Sequence, residues 1–325
     1  MENRLIYMYG SYLREKYGTS VYRVAVDAGF SCPNRSVNRK EGGCTYCDAF
    51  GAAAVYNRKE GYGELPDRFR AETMPDDELK TASLEVQIQN AVGFLKSRYK
   101  AEKFILYFQS FSSTYAEPEY LRNIYGRALA CQKFEELIVS TRPDCIDKDK
   151  ADVLAEFLDN GDVWVELGLQ TIHDRTLLRI NRGHSFNDFK KALETLKNKS
   201  IKICVHIILG LPGESLKEML ETVDYLASSG IEAVKFHNLH IPYGTVMYNE
   251  YLAGEIKAPG PERYLDYLVA ALERIPADMI VERLTCDTPK IRRAAPRQFW
   301  KKTFFYDMIM KELQNRGTFQ GKSYI

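Results

Sequence analysis

The sequence predicts an α/β fold: a partial (β/α)6, TIM-like barrel of parallel strands, followed by a C-terminal helical, basic extension. Two observations carry this. From about residue 100 onward, apolar runs of strand length alternate with segments of helical period, the pattern of repeated βα units around a parallel sheet. Polar residues recur just beyond the predicted strand ends, where a parallel barrel gathers its site. Six strands, rather than eight, would leave the barrel open on one side, which suits a large substrate.

Taken in order, Tyr22 to Asp27 is the first strand candidate, and a long glycine-containing loop carrying three cysteines follows it. Helical period appears over Ser83 to Arg98, then a strand over Lys103 to Gln109 and a helix over Pro118 to Ala130. Leu137 to Ser140 and Val163 to Leu169 read as the next strands, with helices over Lys148 to Leu158 and Phe186 to Asn198. Ile201 to Leu209 and Ala233 to Leu239 are the last two strands, followed by helices over Leu216 to Ala227 and Pro261 to Ile275. The expected division is a barrel over residues 1–280, with the cysteine loop at 28–50, and an extension over 281–325 that packs on it. Residues 49–77, rich in Gly, Arg and Glu, read as an extended loop or mobile flap.

Composition excludes several classes. Hydrophobic residues at 45% and charged residues at 27% are those of an ordinary globular domain, not a disordered, collagenous or disulfide-scaffold chain. With 45 Lys plus Arg against 44 Asp plus Glu, there is no global pull toward nucleic acid or membrane, so any basic surface must be local. No apolar run approaches the roughly 18 residues that a membrane span needs, and the expected location is cytoplasmic. The seven cysteines are an odd number, scattered over a chain with no signal-like start, and are expected as thiols.

Cys32, Cys44 and Cys47 stand apart from the rest. Two residues separate the last pair, and eleven lie between the first two. Three thiolates meeting at one point suit an iron-sulfur cubane that keeps one iron open for an exogenous chelate. A structural zinc site closes on four Cys or His ligands, and the first histidine of the chain is His173. A Cys-x-x-Cys redox pair would use Cys44 and Cys47 but leave Cys32 idle. The cluster is favoured, with the other two readings open on the motif alone.

Longer stretches then carry a resemblance. Asp27-Ala-Gly-Phe-Ser-Cys-Pro-Asn-Arg35, Gly42-Gly-Cys-Thr-Tyr-Cys47, Tyr107-Phe-Gln-Ser-Phe-Ser-Ser-Thr-Tyr-Ala116, Ser140-Thr-Arg-Pro-Asp144 and Glu166-Leu-Gly-Leu-Gln170 are similar to the radical SAM superfamily, specifically its YtqA/YhcC-type family. Asn181-Arg-Gly-His184, His206-Ile-Ile-Leu-Gly-Leu-Pro-Gly-Glu214 and Arg283-Leu-Thr285 extend the match over nearly the whole chain. That family is related to the Elongator-like and coproporphyrinogen-oxidase-like enzymes. The resemblance implies a [4Fe-4S] cluster on Cys32, Cys44 and Cys47, S-adenosylmethionine (SAM) as co-substrate, its reductive cleavage to a 5′-deoxyadenosyl radical, and an electron donor such as flavodoxin or ferredoxin.

The same resemblance implies roles for other positions. Tyr46 would wall the adenine, with plain packing as its alternative. Gln109, Ser110 and Ser112 stand where the superfamily has an amine-binding Gly-Gly-Glu, and their hydroxyl and amide groups can accept ammonium protons. Arg142 can fork onto the SAM carboxylate, against the alternative of an ordinary ion pair. Glu166 and Gln170 alternate onto one strand face and can meet ribose hydroxyls or the SAM amine, Gln170 being the better SAM contact. Gly210 and Gly213 would pack their backbone along the adenine. Arg182-Gly-His184 reads as a loop leading into a helix, and His206 as a hydrogen-bonded core residue. His237 and His240 can face substrate. Cys131, Cys145 and Cys204 read as structural, while a redox or substrate role stays open for Cys286.

From Lys290 onward the chain is basic, with Arg292, Arg293, Lys301 and Lys302 interleaved with Phe299, Trp300, Phe304, Phe305 and Tyr306. Such a surface can grip phosphates and stack on bases. The alternative is a capping helix whose aromatics enter the core. Because the family looks tied to tRNA modification, the favoured substrate is tRNA, at the wobble uridine side chain. A radical enzyme acting on a small metabolite or protein side chain is the second reading, and a non-catalytic metal-binding RNA module the third.

Overall fold

The computed structural model describes residues 4–36, 42–48, 83–286 and 288–324. Runs such as Phe104 to Phe108 and Val163 to Val165 have no polar face, so they are stable only as strands covered on both sides. They do so in one parallel sheet of seven strands: β1 (Val21–Val26), β2 (Lys103–Phe108), β3 (Glu136–Thr141), β4 (Asp162–Gln170), β5 (Lys202–Leu209), β6 (Ala233–Asn238) and β8 (Ile280–Arg283), in the order β1-β2-β3-β4-β5-β6-β8. The sheet curls into a half-barrel with helices outside. These are α2 (Leu84–Tyr99), α3 (Pro118–Ala130), α4 (Lys148–Ala155), α6 (Phe186–Lys197), α7 (Leu216–Ser228) and α9 (Pro261–Leu272).

Local chemistry sets the helix starts. Ser185 with Asp188 and Ser215 with Glu218 form capping boxes at α6 and α7, and Pro118 and Pro261 occupy the first turns of α3 and α9. Each box satisfies otherwise orphaned amides, worth about 1 kcal/mol.

The six expected βα units are present, but the sheet has a seventh strand. β8 is only four residues long and pairs with β6, 42 or more positions upstream, so no local pattern announces it. It also places the expected division at 280 inside a barrel strand. Other elements the pattern did not reveal are α1 (Tyr9–Tyr17), α5 (Asp174–Arg179), α8 (Val246–Leu252), and a small antiparallel sheet of β7 (Ile241–Pro242) with β9 (Arg293–Ala295). Residues 49–77, expected as a flap, lie outside the described residues.

The barrel interior is layered. At the amino ends of the strands, Tyr9 and Leu13 of α1 pack against Ile105, Ile138, Trp164, Cys204, Ala233 and Ile280, closing the floor with apolar surface. One layer higher the inward residues become charged or polar, and at the carboxyl ends they border an open cavity. That gradient places the site.

The C-terminal segment is built as a cap. Along α10 (Lys302–Asn315), Phe305 is fully buried, with its ring 5.6 Å from Phe299 and 5.5 Å from Tyr264 of α9. Trp300 packs on the same cluster. These rings are core, not a stacking platform for bases, because the outer face of α9 and the end of the sheet need covering. Among the described residues no helix is long and apolar enough to cross a membrane.

Candidate cluster and cofactor site

The loop after β1 folds by its own short-range bonds. The Arg35 amide donates to the Cys32 carbonyl at 2.9 Å, and the Cys47 amide to the Cys44 carbonyl at 2.9 Å, so each cysteine sits at a tight turn. Gly43 closes the two turns on each other by donating to the Asn34 carbonyl at 2.5 Å. Its φ of +98° favours glycine, and a side chain there would strike the Arg35 guanidinium.

A second segment, residues 180–184, holds this loop in place. The Thr45 amide donates to the Ile180 carbonyl at 2.9 Å, Asn181 Nδ2 to the Gly43 carbonyl at 2.9 Å, and Asn34 Nδ2 to the Asn181 carbonyl at 2.5 Å. Arg182 reaches Cys44 Sγ through Nη1 at 3.4 Å while its Nη2 donates to the Gly168 carbonyl at 2.7 Å. Gly168 leaves room for that guanidinium, which a Cβ would strike. Sequence reading took Asn181-Arg-Gly-His184 for a simple loop; instead it is the brace of the cysteine loop. The only sequence signal was its place among the family-like stretches.

Two further arginines serve the cysteines. Arg142 Nη1 lies 3.9 Å from Cys32 Sγ and donates to the Arg182 carbonyl at 2.6 Å, while Nε and Nη2 fork onto Asp144 at 2.8 Å each. Arg35 Nη2 donates to the carbonyls of Cys47 and Asp48 at 2.7 and 2.8 Å. The expected fork of Arg142 on the SAM carboxylate is therefore corrected: its planar donors are already occupied by Asp144 and Arg182.

Electrostatics follow. Burial pushes the Cys44 thiol up, but the Arg182 guanidinium beside it, helped by Arg142, outweighs burial and leaves it below the ordinary thiol value. Burial pushes Cys47 up to about 11, with Arg35 opposing.

The three cysteines share one open cavity of about 300 Å³ with Tyr46, Gln109, Ser112 and Gln170, at the carboxyl ends of the strands. Gln170 carries a φ of +78° at a break in the β4–β5 register, a strained backbone of the kind that re-aims a side chain at a site. Tyr46 lines the cavity and packs on the cluster of Ile208, Leu239 and Met247.

Other expected positions do not reach the cavity. Ser110 is buried, and its carbonyl accepts from the Ser113 hydroxyl at 3.4 Å. Glu166 is sealed beneath it. Its carboxylate accepts from Lys235 Nζ at 2.6 Å and Tyr107 OH at 2.7 Å, and lies 3.0 Å from His206 Nε2. Burial would raise it, yet Lys235, His206 and Arg23 hold it well below the usual carboxylate range. Burial draws the Lys235 ammonium below its ordinary value while Glu166 opposes. Gly210 faces the Pro259 ring, and the Gly213 carbonyl accepts from Arg175 at 3.3 Å, so neither borders the cavity.

Of the expected substrate residues, His237 and Arg292 line the cavity, Arg292 forking onto Asp48 at 2.6 Å. His240 does not: it is buried, with Nδ1 3.1 Å from Cys286 Sγ and Nε2 2.5 Å from Asn238 Nδ2. Arg293 is buried in β9, and Lys301 and Lys302 begin α10 away from the cavity. Sequence reading missed Arg35, Asp48, Lys235 and Arg283, all of which line it.

Comparison with known proteins gives this arrangement a family. The family described as "Radical SAM superfamily" matches residues 38–226, and "Radical_SAM C-terminal domain" matches residues 231–315. The chain belongs to the radical SAM superfamily. It is 36% identical to uncharacterized protein YtqA of Bacillus subtilis, over 96% of this chain and 90% of that one. To protein YhcC of Escherichia coli it is 32% identical, over 99% and 97%. A tRNA uridine(34) acetyltransferase of Methanocaldococcus infernus is 30% identical over 161 residues, 47% of this chain and 29% of its own. The fold resembles the structure of the archaeal Methanocaldococcus infernus Elp3 with its N-terminus deleted, at a TM-score of 0.65 and 21% identity, covering 73% of this chain and 60% of that one.

Radical SAM proteins use a [4Fe-4S] cluster and SAM. The residues present fit that pair. Three thiols with no fourth among the described cavity residues suit a cluster with one open iron, and the guanidiniums of Arg182 and Arg142 suit thiolates. Among the described residues no three His, Cys, Asp or Glu side chains are drawn close enough for one bare ion, and a cubane, being larger, asks its thiolates to stand further apart.

Arg182→Gln is expected to leave Cys44 a weaker acid. Iodoacetamide alkylation of Cys44 in the cluster-free protein at pH 7 should slow about threefold or more, read by peptide mass spectrometry. An unchanged rate would remove the electrostatic role given to Arg182.

Proposed function

We propose that this protein is a radical SAM enzyme acting on tRNA, at the wobble uridine side chain, with Cys32, Cys44 and Cys47 holding the cluster. The observation that carries the tRNA reading is the 161-residue match to the tRNA uridine(34) acetyltransferase, supported by the likeness of fold to Elp3. When bound, cluster and SAM supply a 5′-deoxyadenosyl radical that takes hydrogen from substrate.

The chain's residues prepare the setting. Arg182 stabilises thiolate at Cys44, Arg142 places a guanidinium nitrogen beside Cys32 Sγ, and Arg35 fixes the backbone at Cys47. Gln109, Ser112 and Gln170 share the cavity with the cysteines and would hold the amino-acid part of SAM, while Tyr46 would offer a ring to the adenine. Sealed apolar layers beneath keep water from the barrel floor. A small electron-transfer protein such as flavodoxin or ferredoxin supplies the electron. Because Phe299, Phe305 and Trp300 pack into the core, leaving Phe304 as the exposed ring of that group, RNA would be held at the cavity mouth rather than along α10.

The test is anaerobic reconstitution with SAM and a reductant, with and without tRNA, together with mass spectrometry of tRNA nucleosides from cells with and without the protein. tRNA-dependent 5′-deoxyadenosine and a missing modified uridine are expected. Turnover indifferent to RNA would defeat the tRNA reading and point to a metabolite or protein side chain.

A further inference from the structure

The cavity is also lined from β6 and β8, which contribute Lys235, His237 and Arg283. The register between these strands breaks: Val234 pairs with Val281, and Lys235 pairs with Arg283. An extra residue is thereby inserted on the β8 side, so two consecutive charged residues both serve the barrel interior, where strict alternation would send one outside. Glu282 is spent on cations already there, lying 3.1 Å from Lys235 Nζ and pairing with Arg23. Arg283 faces the cavity, and among the described residues its guanidinium has no hydrogen bond and no carboxylate within ion-pair distance. The other cavity arginines are all committed: Arg142 to Asp144, Arg292 to Asp48, Arg35 and Arg182 to the cysteine loop.

A second unmet group stands beside it. His237 Nε2 is buried and, among the described residues, has no hydrogen-bond partner, its ring stacked on His206 at 5.3 Å between centroids. Burial and the cationic neighbours hold the His237 ring neutral, so it can donate to an oxygen without adding charge. A planar cation and an unbonded imidazole nitrogen on one wall, half-buried and unpartnered, are incomplete without an acceptor.

We propose that Arg283 and His237 form an anion-binding subsite on the β6–β8 side of the cavity, which takes a phosphate or carboxylate group of the substrate. The subsite rests on the cavity being the substrate site of the radical enzyme. It restricts substrates to those presenting an anionic oxygen pair within the barrel mouth, and the β8 bulge is the device that supplies the charge. For an RNA substrate the anion is a backbone phosphate; for a metabolite it is a phosphate or carboxylate.

The test uses the full chain, reconstituted anaerobically and loaded with SAM, and measures binding of uridine 5′-monophosphate, uridine and succinate by calorimetry. Tighter binding of the monophosphate than of uridine by about tenfold or more is expected. Arg283→Gln should erase that preference and Arg283→Lys, which keeps charge but not the fork, should keep part of it. In the wild-type protein, phenylglyoxal labelling of Arg283 should be blocked by the monophosphate, a readout that needs no variant. Arg283-dependent binding of succinate alone would support the subsite, assign it to a carboxylate and count against tRNA. Equal binding of all three, a preference that survives Arg283→Gln, or labelling that the anions leave untouched would overturn the proposal. Failure of the wild-type protein to form 5′-deoxyadenosine would instead strike the cofactor reading, leaving the anion measurement to be judged by itself.

Discussion

Cys44→Ala is expected to abolish cluster assembly and with it all 5′-deoxyadenosine formation under anaerobic reducing conditions. Of the three loop cysteines, Cys44 is the most buried. It is 7% exposed, its turn is held by Thr45 on Ile180, and it receives the Arg182 guanidinium. A cubane held by three thiolates cannot lose one and retain both its charge balance and its open iron. The measurement is iron and sulfide content per chain beside SAM turnover, with Cys131→Ala as control, since Cys131 is exposed on the outside of the barrel. Retained turnover in Cys44→Ala would defeat the assignment of the ligands.

Glu166→Leu should be the most destabilising single change inside the barrel. Glu166 is 1% exposed and meets Lys235, His206 and Tyr107, with Arg23 at 4.0 Å. Removing the carboxylate leaves the Lys235 ammonium buried beside fewer acceptors, a loss of about 3–5 kcal/mol. The double variant Glu166→Leu with Lys235→Met removes both charges and should recover most of it, because replacing a buried pair by apolar volume is often neutral. Denaturant midpoints of the single and double variants check this, and equal destabilisation of both would show that the pair is not the cause. The pH dependence has a definite sign. Glu166 is held well below its ordinary value of 4.5, so its contribution is complete above that pH and is lost as pH falls through the folded value. The double variant should lack that part of the acid destabilisation.

Much of the site was readable before folding. Thiols at positions 32, 44 and 47 have a chemistry that few other residues share, and the spacing places them within one loop. The strands were readable for a related reason: a parallel sheet covered on both faces demands unbroken apolar runs, and Phe104 to Phe108 or Val163 to Val165 have no other use.

Polar assignments fared unevenly, and the reason is competition for partners. Gln170, Gln109, Ser112, Tyr46 and Arg142 reach the cavity, but the Arg142 fork is engaged by Asp144, and Glu166 is sealed beneath and engaged by Lys235. A sequence shows that a side chain can donate or accept; which partner reaches it first depends on residues far along the chain.

The sequence alone indicated the barrel class through its hydrophobic period, drew Cys32, Cys44 and Cys47 into one loop, and implied the cofactor pair through its resemblance to a family; hydrophobic period and thiol spacing are local properties. Tertiary structure alone decided that Asn181 to His184 clamps the cysteine loop, that Phe299, Trp300 and Phe305 join the core, and that a bulge in β8 turns Arg283 inward. Those outcomes depend on long-range pairing and burial, which arise only when distant segments compete for the same interior.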